Sequence, residues 1–336
     1  MLTACGGPTV APSAPASGPP AELASKALPL PGATGPVSLD YLAYEAGRSR
    51  VWVPVGTNGT VAVLDTASLA FARVEGFETA EREVRGKKRT MGPSSATDGG
   101  AFVYVGNRAT SEVCPVDVAT LKAGACVKLA VPIDGVAYVA STKEVWVTTP
   151  RDKSLQVLDA SKPGVLAAKA VVKLDGEPEG YAVDEAHGLF FTNLEDKGGT
   201  LAIDVAKRAV VATWSAGCGS DGPRGLAFDA AHGYLVVACT DHVQVLDAGH
   251  GGAPLGKLDT GAGVDNLDFH AGKRLLYAAA GKAARLTVAR LDDKGGLTVV
   301  ATAKTSEGAR NAVVDAAGKA YVADSAGARV LVVDAP

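Results

Sequence analysis

Seven polar residues recur at comparable places along the chain, each at the start of a short apolar run. They are Asp40, Ser94, Asp134, Glu179, Arg224, Asp265 and Arg310. Carboxylates that converge could hold a hard cation such as calcium, an amine or a sugar-like ligand, because oxygen donors suit such groups. Arginines among them could bind a carboxylate or phosphate through paired N–H groups. Whether the seven side chains meet depends on the elements that carry them.

Those elements belong to a repeated unit. It occurs as GYAVDEAHGLFFTN from Gly180, GLAFDAAHGYLVVACTD from Gly225, NLDFHAGKRLLYAAA from Asn266 and NAVVDAAGKAYVADS from Asn311. The acid or His that ends the first run lies at positions 184, 229, 270 and 315, which are separated by 45, 41 and 45 residues. This period fits one four-stranded blade of a β-propeller. Seven third strands can be counted, namely VAVLD, VCPVD, LQVLD, LAID, VQVLD, LTVARLD and VLVVD.

The two ends of the chain predict how the propeller closes. The last unit stops at Pro336 after three strands, and Lys26 to Leu30 precede the first unit. We therefore expect an all-β, seven-bladed β-propeller over residues 25–336, forming one domain whose last blade is closed by the N-terminal strand. Closure removes an open sheet edge. Residues 1–24 are predicted to be a lipoprotein signal remnant and a flexible tether rich in Pro, Ala and Ser.

In a propeller the first strand of each blade lines the central channel, so the seven polar residues should form a ring at one mouth. Around this ring each arginine stands between two acids, which leaves Asp134 as the acid with no neighbouring cation in the ring. The arc from Asp134 to Glu179 is the candidate binding site, and Asp134, Glu179 and Asp265 are the candidate calcium ligands. The alternative is that the alternating charges simply satisfy one another and water.

The loops between second and third strands should lie on the same face, which we call the mouth face. They carry Asn58, Arg108, Arg151, Glu195, Asp241, Lys282 and Asp324. Arg108 and Arg151 lie on adjacent blades and could clamp a carboxylate or phosphate. The insertion from Phe77 to Thr90 is rich in charge and should fold over this face as a flap. The alternative for the loop residues is a solvated polar surface. The insertion is either a lid or partner-docking element or an exposed turn whose charges pair with one another.

The five cysteines predict an exported protein. Cys5 ends the sequence Leu-Thr-Ala-Cys, which matches a bacterial lipobox and would carry a lipid. In the propeller frame, Cys114 should be a cross-strand neighbour of Cys126, and Cys218 should meet Cys239 on the mouth face. We expect two disulfides, with buried free thiols as the alternative. The predicted location is the cell envelope, as a periplasm-facing or surface lipoprotein held to the membrane by its lipid only.

Three runs carry a family resemblance. Val103-Tyr104-Val105-Gly106-Asn107, Val145-Trp146-Val147-Thr148-Thr149 and Phe190-Phe191-Thr192-Asn193 are each followed by a turn and a strand that ends in Asp. Over roughly residues 25–336 the chain resembles the YVTN-repeat family of seven-bladed β-propellers. The resemblance implies the fold and an exported protein, and it implies no particular ligand.

The sequence lacks the motifs of several common classes of enzyme and cofactor-binding protein. It contains no CxxCH for haem, no His spacing typical of a triad, and no GxSxG elbow. A net charge of −3 argues against a nucleic-acid partner. The favoured hypothesis is a monomeric, non-catalytic envelope lipoprotein that binds a protein partner or a small polar ligand at its mouth face. The alternative is a calcium-dependent hydrolase or lactonase in which Glu179 or Asp265 acts as the base.

Overall fold

The computed structural model describes residues 18–84 and 86–336. Nearly all regular structure in these ranges is β-strand, and seven small antiparallel sheets are arranged as the blades of a propeller. The prediction of an all-β, seven-bladed propeller is confirmed. The predicted lipidation site, Cys5, lies outside the described residues.

The strands follow the repeat. Two of them precede the first blade, β1 (Ala21–Leu23) and β2 (Ser25–Pro29). Blade one contains β3 (Ala43–Glu45), β4 (Arg50–Val55), β5 (Thr60–Asp65) and β6 (Phe71–Val74). A separate hairpin follows, made of β7 (Ala80–Val84) and β8 (Lys87–Met91). Blade two contains β9 (Pro93–Asp98), β10 (Phe102–Asn107), β11 (Glu112–Asp117) and a fourth strand in two pieces, β12 (Lys122–Ala123) and β13 (Val127–Lys128).

The remaining blades are more regular. Blade three contains β14 (Val136–Val139), β15 (Glu144–Thr149), β16 (Ser154–Lys162) and β17 (Val165–Lys173). Blade four contains β18 (Pro178–Asp184), β19 (Leu189–Leu194), β20 (Gly199–Asp204) and β21 (Ala209–Ser215). Blade five contains β22 (Leu226–Asp229), β23 (Tyr234–Ala238), β24 (His242–Asp247) and β25 (Ala253–Asp259). Blade six contains β26 (Val264–His270), β27 (Leu275–Ala280), β28 (Arg285–Leu291) and β29 (Leu297–Lys304). Blade seven contains β30 (Ala312–Val314), β31 (Ala320–Asp324) and β32 (Arg329–Val333).

Short 3₁₀ turns join some of these strands. They span Ala46–Arg48, Gly56–Asn58, Pro150–Asp152, Gly219–Asp221, Ala248–His250 and Ala271–Lys273. Across residues 18–84 and 86–336, no helix has the length and apolar character that a membrane span needs.

The N-terminal segment ties the last two blades together. Strand β2 pairs antiparallel with β32, with Ala27 opposite Leu331, so it supplies the fourth strand of blade seven as predicted. Strand β1 instead pairs parallel with β29, with Ala21 opposite Ala301, and adds a fifth strand to blade six. Strand pairing therefore begins within the residues that the sequence assigned to the tether. The division of the chain near residue 24 stays a prediction.

The core lies between successive blades, because each sheet packs one face on the next. One cluster joins Val51 and Leu64 of blade one to Val330 of blade seven, and another joins Trp146 of blade three to Phe190 of blade four. Acids at strand ends close the turns of the repeat. Asp184, for example, accepts the backbone N–H groups of residues 186 and 187 at 3.1 Å each. Such local bonds explain why Asp recurs at these positions.

Both predicted disulfides are present. Cys114 and Cys126 are bonded with their Cα atoms 4.1 Å apart, and Cys218 and Cys239 with theirs 5.0 Å apart. Cys126 lies in the gap between β12 and β13 rather than within a continuous fourth strand. Disulfides are typical of oxidising, extracytoplasmic compartments.

Candidate functional site at the channel mouth

The ring predicted from the first strands is assembled largely through Arg108. Its Nη2 donates to Asp40 Oδ2 at 2.9 Å and also contacts Asp134 Oδ1. The ring order leaves Asp134 without a cationic neighbour within the ring, and the structure supplies a cation from outside it, because Arg108 reaches inward from the loop after β10. Burial would lower the pKa of Arg108, but the two carboxylates outweigh it and raise that pKa. Burial raises the pKa of Asp134 despite the opposing effect of Arg108.

A second ion pair lies across blades six, seven and one. Arg310 Nε is 3.3 Å from Asp265 Oδ2, and its Nη2 is 4.0 Å from Asp40 Oδ1. Asn311 Nδ2 also donates to Asp40 Oδ1 at 3.0 Å. The predicted place of Arg310 between Asp265 and Asp40 is thus what the structure has. Burial raises the pKa of Asp265 to about 6, with Arg310 acting against it.

Arg224 and Ser94 do not join this network through their side chains in the described contacts. Arg224 pairs with Glu195 of the neighbouring second-to-third strand loop rather than bridging Glu179 and Asp265. Ser94 is 5% exposed and its Oγ has no hydrogen-bond partner among the described atoms. Its carbonyl oxygen accepts the N–H of Tyr41 at 3.0 Å. The fold therefore places Ser94 in the ring mainly through its backbone.

Glu179 is the ring acid that lacks an ion-pair partner among the described residues. Its Oε1 accepts the hydroxyl of Tyr41 at 3.1 Å. Burial raises its pKa well above the usual range, and the charges of Asp134, Asp265 and Asp40 raise it further. Glu179 is thus the mouth acid without a cationic partner among the described side chains, whereas Asp134 contacts Arg108.

The hairpin β7–β8, which we call the flap, stands on this same face and separates two grooves. A groove of about 330 Å³ is lined by Arg82, Glu83 and Met91 of the flap and by residues of blades two and three that include Arg108, Ile133, Asp134 and Arg151. A groove of about 590 Å³ on the other side is lined by Lys88, Arg89 and Arg310 together with loops of blades one and seven. The predicted charged flap is therefore present. Arg108 and Arg151 share the first groove, although Arg108 is already bound to two acids.

The other members of the second ring do not act together. Asp324 is fully buried and its Oδ2 is 2.6 Å from Arg329 Nε. Asn58 donates to the carbonyl of Gly32 at 3.3 Å. Asp241 Oδ1 contacts His242 Nδ1 at 2.5 Å. Lys282 lines a third groove of about 370 Å³ with Arg224, Asp265 and Arg310. Position on equivalent loops did not by itself bring these side chains together.

A metal site is not evident from side-chain grouping. In the part of the chain that the structure describes, no three His, Cys, Asp or Glu side chains are grouped so as to hold a metal ion. Asp134 and Asp265 each contact an arginine, so a cation would have to displace those contacts. Calcium binding by Asp134, Glu179 and Asp265 stays a prediction.

Sequence reasoning overlooked the residues that follow the ring inside the channel. Tyr41 follows Asp40 by one residue, and Tyr181 follows Glu179 by two. The two tyrosine rings stack with their centroids 5.7 Å apart. On their far side lies a cavity of about 520 Å³ that opens at the opposite face. A sequence signal was available, because both tyrosines closely follow ring positions in the first-strand segments, which line the channel.

Comparison with solved structures defines the class of protein. A chain in the crystal structure of the mitotic checkpoint complex matches with a TM-score of 0.74 and 12% identity, covering 99% of this chain and 98% of that one. A chain of Kuenenia stuttgartiensis hydrazine synthase matches with a TM-score of 0.71 and 16% identity, covering 91% and 98%. The β-propeller domain of Cps50 (Swd1) from Myceliophteria thermophila matches with a TM-score of 0.70 and 12% identity, covering 92% and 98%.

These similarities and the sheet order define a seven-bladed β-propeller. No protein-family model matches the chain, and no curated protein matches its sequence. At such low identities the likeness shows the fold alone. Propellers with this architecture differ in what their loops and channels bind.

Proposed function

We propose that this chain is an exported, non-catalytic β-propeller of the YVTN-repeat type that binds an acidic segment of a protein partner at its mouth face. The observation that carries the proposal is the set of cations around the flap. Arg82, Lys88, Arg89 and Arg151 line the two grooves, and none of them contacts a carboxylate among the described residues. In the described ranges, Arg82 donates to a backbone carbonyl, that of Ala109, at 3.3 Å.

Shape supports the same proposal. The mouth face has a groove on each side of the flap, and the groove beside Arg151 has Met91, Pro132 and Ile133 among its apolar lining residues. Carboxylates of a partner could pair with the arginines while an apolar side chain packs on that wall. The mitotic checkpoint complex, which contains a structural neighbour, is a complex of proteins, so a propeller of this fold can serve protein binding in general.

Export is supported by the two disulfides and by the lipobox sequence that ends at Cys5. A lipid on Cys5, followed by the Pro/Ala/Ser-rich tether, would hold the propeller at a membrane surface. Replacing Cys5 by Ser in producing cells should move the protein from the membrane fraction to the soluble fraction. An unchanged distribution would contradict the anchor and leave the binding proposal standing.

Binding at the mouth face can be tested by site-specific photo-crosslinking in producing cells. A photoreactive residue at position 151 should give a discrete protein adduct, and one at Lys143, in a turn between first and second strands on the opposite face, should not. Adding Arg82→Gln should weaken the adduct, because it removes a second unpaired cation from the same groove. Equal adducts from both positions, or none from position 151, would contradict the proposal.

One observation favours the hydrolase alternative. Glu179 is a channel carboxyl whose pKa is raised by burial and by neighbouring acids, and perturbed carboxyls of this kind are frequent in active sites. Hydrolysis of lactones in the presence of calcium, abolished by Glu179→Gln with the fold retained, would establish it. Absence of both turnover and calcium binding would reject it.

A further inference from the structure

The cavity at the end of the channel opposite the mouth face has no part in the proposed function. Its volume of about 520 Å³ is within the range of small-molecule sites. First strands of six blades build its wall, with Leu42, Leu226, Leu267, Phe269 and Val313 among the apolar contributors. The sides of the cavity are therefore rigid, since each belongs to a sheet held on both flanks.

An aromatic pair forms the inner end of this cavity. The rings of Tyr41 and Tyr181 stack at an interplanar angle of 23°. The hydroxyl of Tyr41 is bonded to Glu179, so this ring is held in place from the mouth side. Burial raises the pKa of both phenols, and the carboxylates of the mouth raise it further, so both hydroxyl groups keep their protons.

Acidic side chains are prominent in the cavity wall, which also includes His270. Of the residues that the structure describes, the lining contains Asp98, Asp268 and Asp315 and no Lys or Arg. The Asp315 carboxylate accepts hydrogen bonds from the backbone N–H groups of Ala317 and Lys319 in its own turn and from the hydroxyl of Tyr321 at 2.9 Å. Asp268 accepts hydrogen bonds from the backbone N–H groups of Val314 at 2.7 Å and of Phe269 at 2.8 Å. It contacts no Lys or Arg side chain in the described ranges.

The histidine at the rim is held by the backbone of its own turn and of blade seven. Nδ1 of His270 accepts the N–H of Lys273 at 3.0 Å, and Nε2 is 3.0 Å from the carbonyl oxygen of Ala316. Both ring nitrogens are therefore engaged by backbone groups. The Asp268 carboxylate, without a Lys or Arg partner among the described residues, thus stands in a cavity with an aromatic end and apolar walls.

We infer that this cavity is a second binding site and that it takes a small amphipathic organic cation, with its apolar body against Tyr41 and Tyr181 and its ammonium group near Asp268. The ammonium would gain attraction from the carboxylate and from aromatic faces, and the apolar body would replace water on the aliphatic wall. A ligand with a carboxylate would be repelled by the wall and by the mouth acids behind it. The site is independent of the mouth face.

The first test uses phenethylammonium as the probe, at neutral pH, with 2-phenylethanol as its uncharged counterpart in isothermal titration calorimetry. The amine should bind roughly tenfold more tightly than the alcohol, in keeping with one charge interaction and one cation–π contact. Ala316→Trp should abolish binding, because this exposed rim residue lines the opening of the cavity. Ala230→Trp is the matched control, at the corresponding exposed turn position of blade five and outside the cavity lining.

Asp268→Asn tests the charge separately. It should weaken phenethylammonium binding roughly tenfold and leave 2-phenylethanol unchanged. Asp259→Asn, at the exposed end of β25, removes the same charge elsewhere and should alter neither. No binding of the amine, equal affinity for amine and alcohol, or binding that persists in Ala316→Trp would overturn the inference. Crosslinking at position 151 would be unaffected by any of these results, so the two proposals fail separately.

Discussion

Arg108→Met removes a side chain that contacts Asp40 and Asp134 together across the channel mouth. Met keeps most of the length and packing of the arginine stem and takes away the charge. The two acids then lose their shared cation while they remain 12% and 16% exposed. Breaking a buried ion pair from one side costs about 3–5 kcal/mol. Because Arg108 itself is 23% exposed, we expect the lower end, about 3 kcal/mol.

This loss converts into a measurable change in melting temperature. An unfolding entropy of about 2.1 cal/mol/K per residue gives about 0.7 kcal/mol/K for 336 residues. The variant should therefore melt about 4 °C below the parent protein at pH 7.5. Circular dichroism with the disulfides kept oxidised is a suitable assay.

The stability that Arg108→Met loses should also depend on pH. Burial already raises the pKa of Asp134 and Arg108 opposes that rise, so the pKa climbs further when the arginine is removed. The folded variant then binds a proton at a pH where the unfolded chain does not, and its relative stability increases as pH falls. At pH 4.5 the difference from the parent protein should shrink to less than half of its value at pH 7.5.

Arg151→Met is the matched control, because it removes an exposed cation from the adjacent blade that contacts no acid in the described structure. It should change the free energy of unfolding by less than about 0.5 kcal/mol. A loss below about 1 kcal/mol for Arg108→Met, or a deficit of the same size at both pH values, would refute the reasoning.

Three further outcomes are expected. Asp247→Ala should cost about 1 kcal/mol in denaturant unfolding, because its carboxylate accepts the N–H of His250 at 3.1 Å; an unchanged midpoint would contradict this. Burial raises the pKa of Asp268 to about 6, so ionisation between about pH 4 and pH 6 destabilises the native protein. When the pH is raised from 4.5 to 7.5, the free energy of unfolding of Asp268→Asn should increase by about 2 kcal/mol relative to that of the parent protein. If the free energies of unfolding of the two proteins change with pH in parallel, the effect is excluded. Replacing both Cys218 and Cys239 by Ser opens a loop of sequence separation 21 and should cost about 3 kcal/mol, and a loss under about 1 kcal/mol in thermal unfolding would argue against this constraint.

The sequence by itself determined the architecture. Each blade is built from local signals: strand runs, Gly turns, and acids such as Asp184 that close the turns through bonds two or three residues away. Such signals repeat with the blade, so counting them yields the number of blades and shows that the last one lacks a strand. The same count placed Cys114 opposite Cys126 and Cys218 beside Cys239, because sheet geometry specifies which strand positions are neighbours.

Only the tertiary structure decided which charges meet. The ring order predicted neighbours along the circle, but Arg108 crosses from a loop to Asp40 and Asp134, and Arg224 turns outward to Glu195. A long side chain reaches several ångströms in a direction that depends on its loop, and sequence spacing does not encode that direction. The cavity beyond Tyr41, like the added strand β1, arises where several blades meet in space, and so no single repeat contains it.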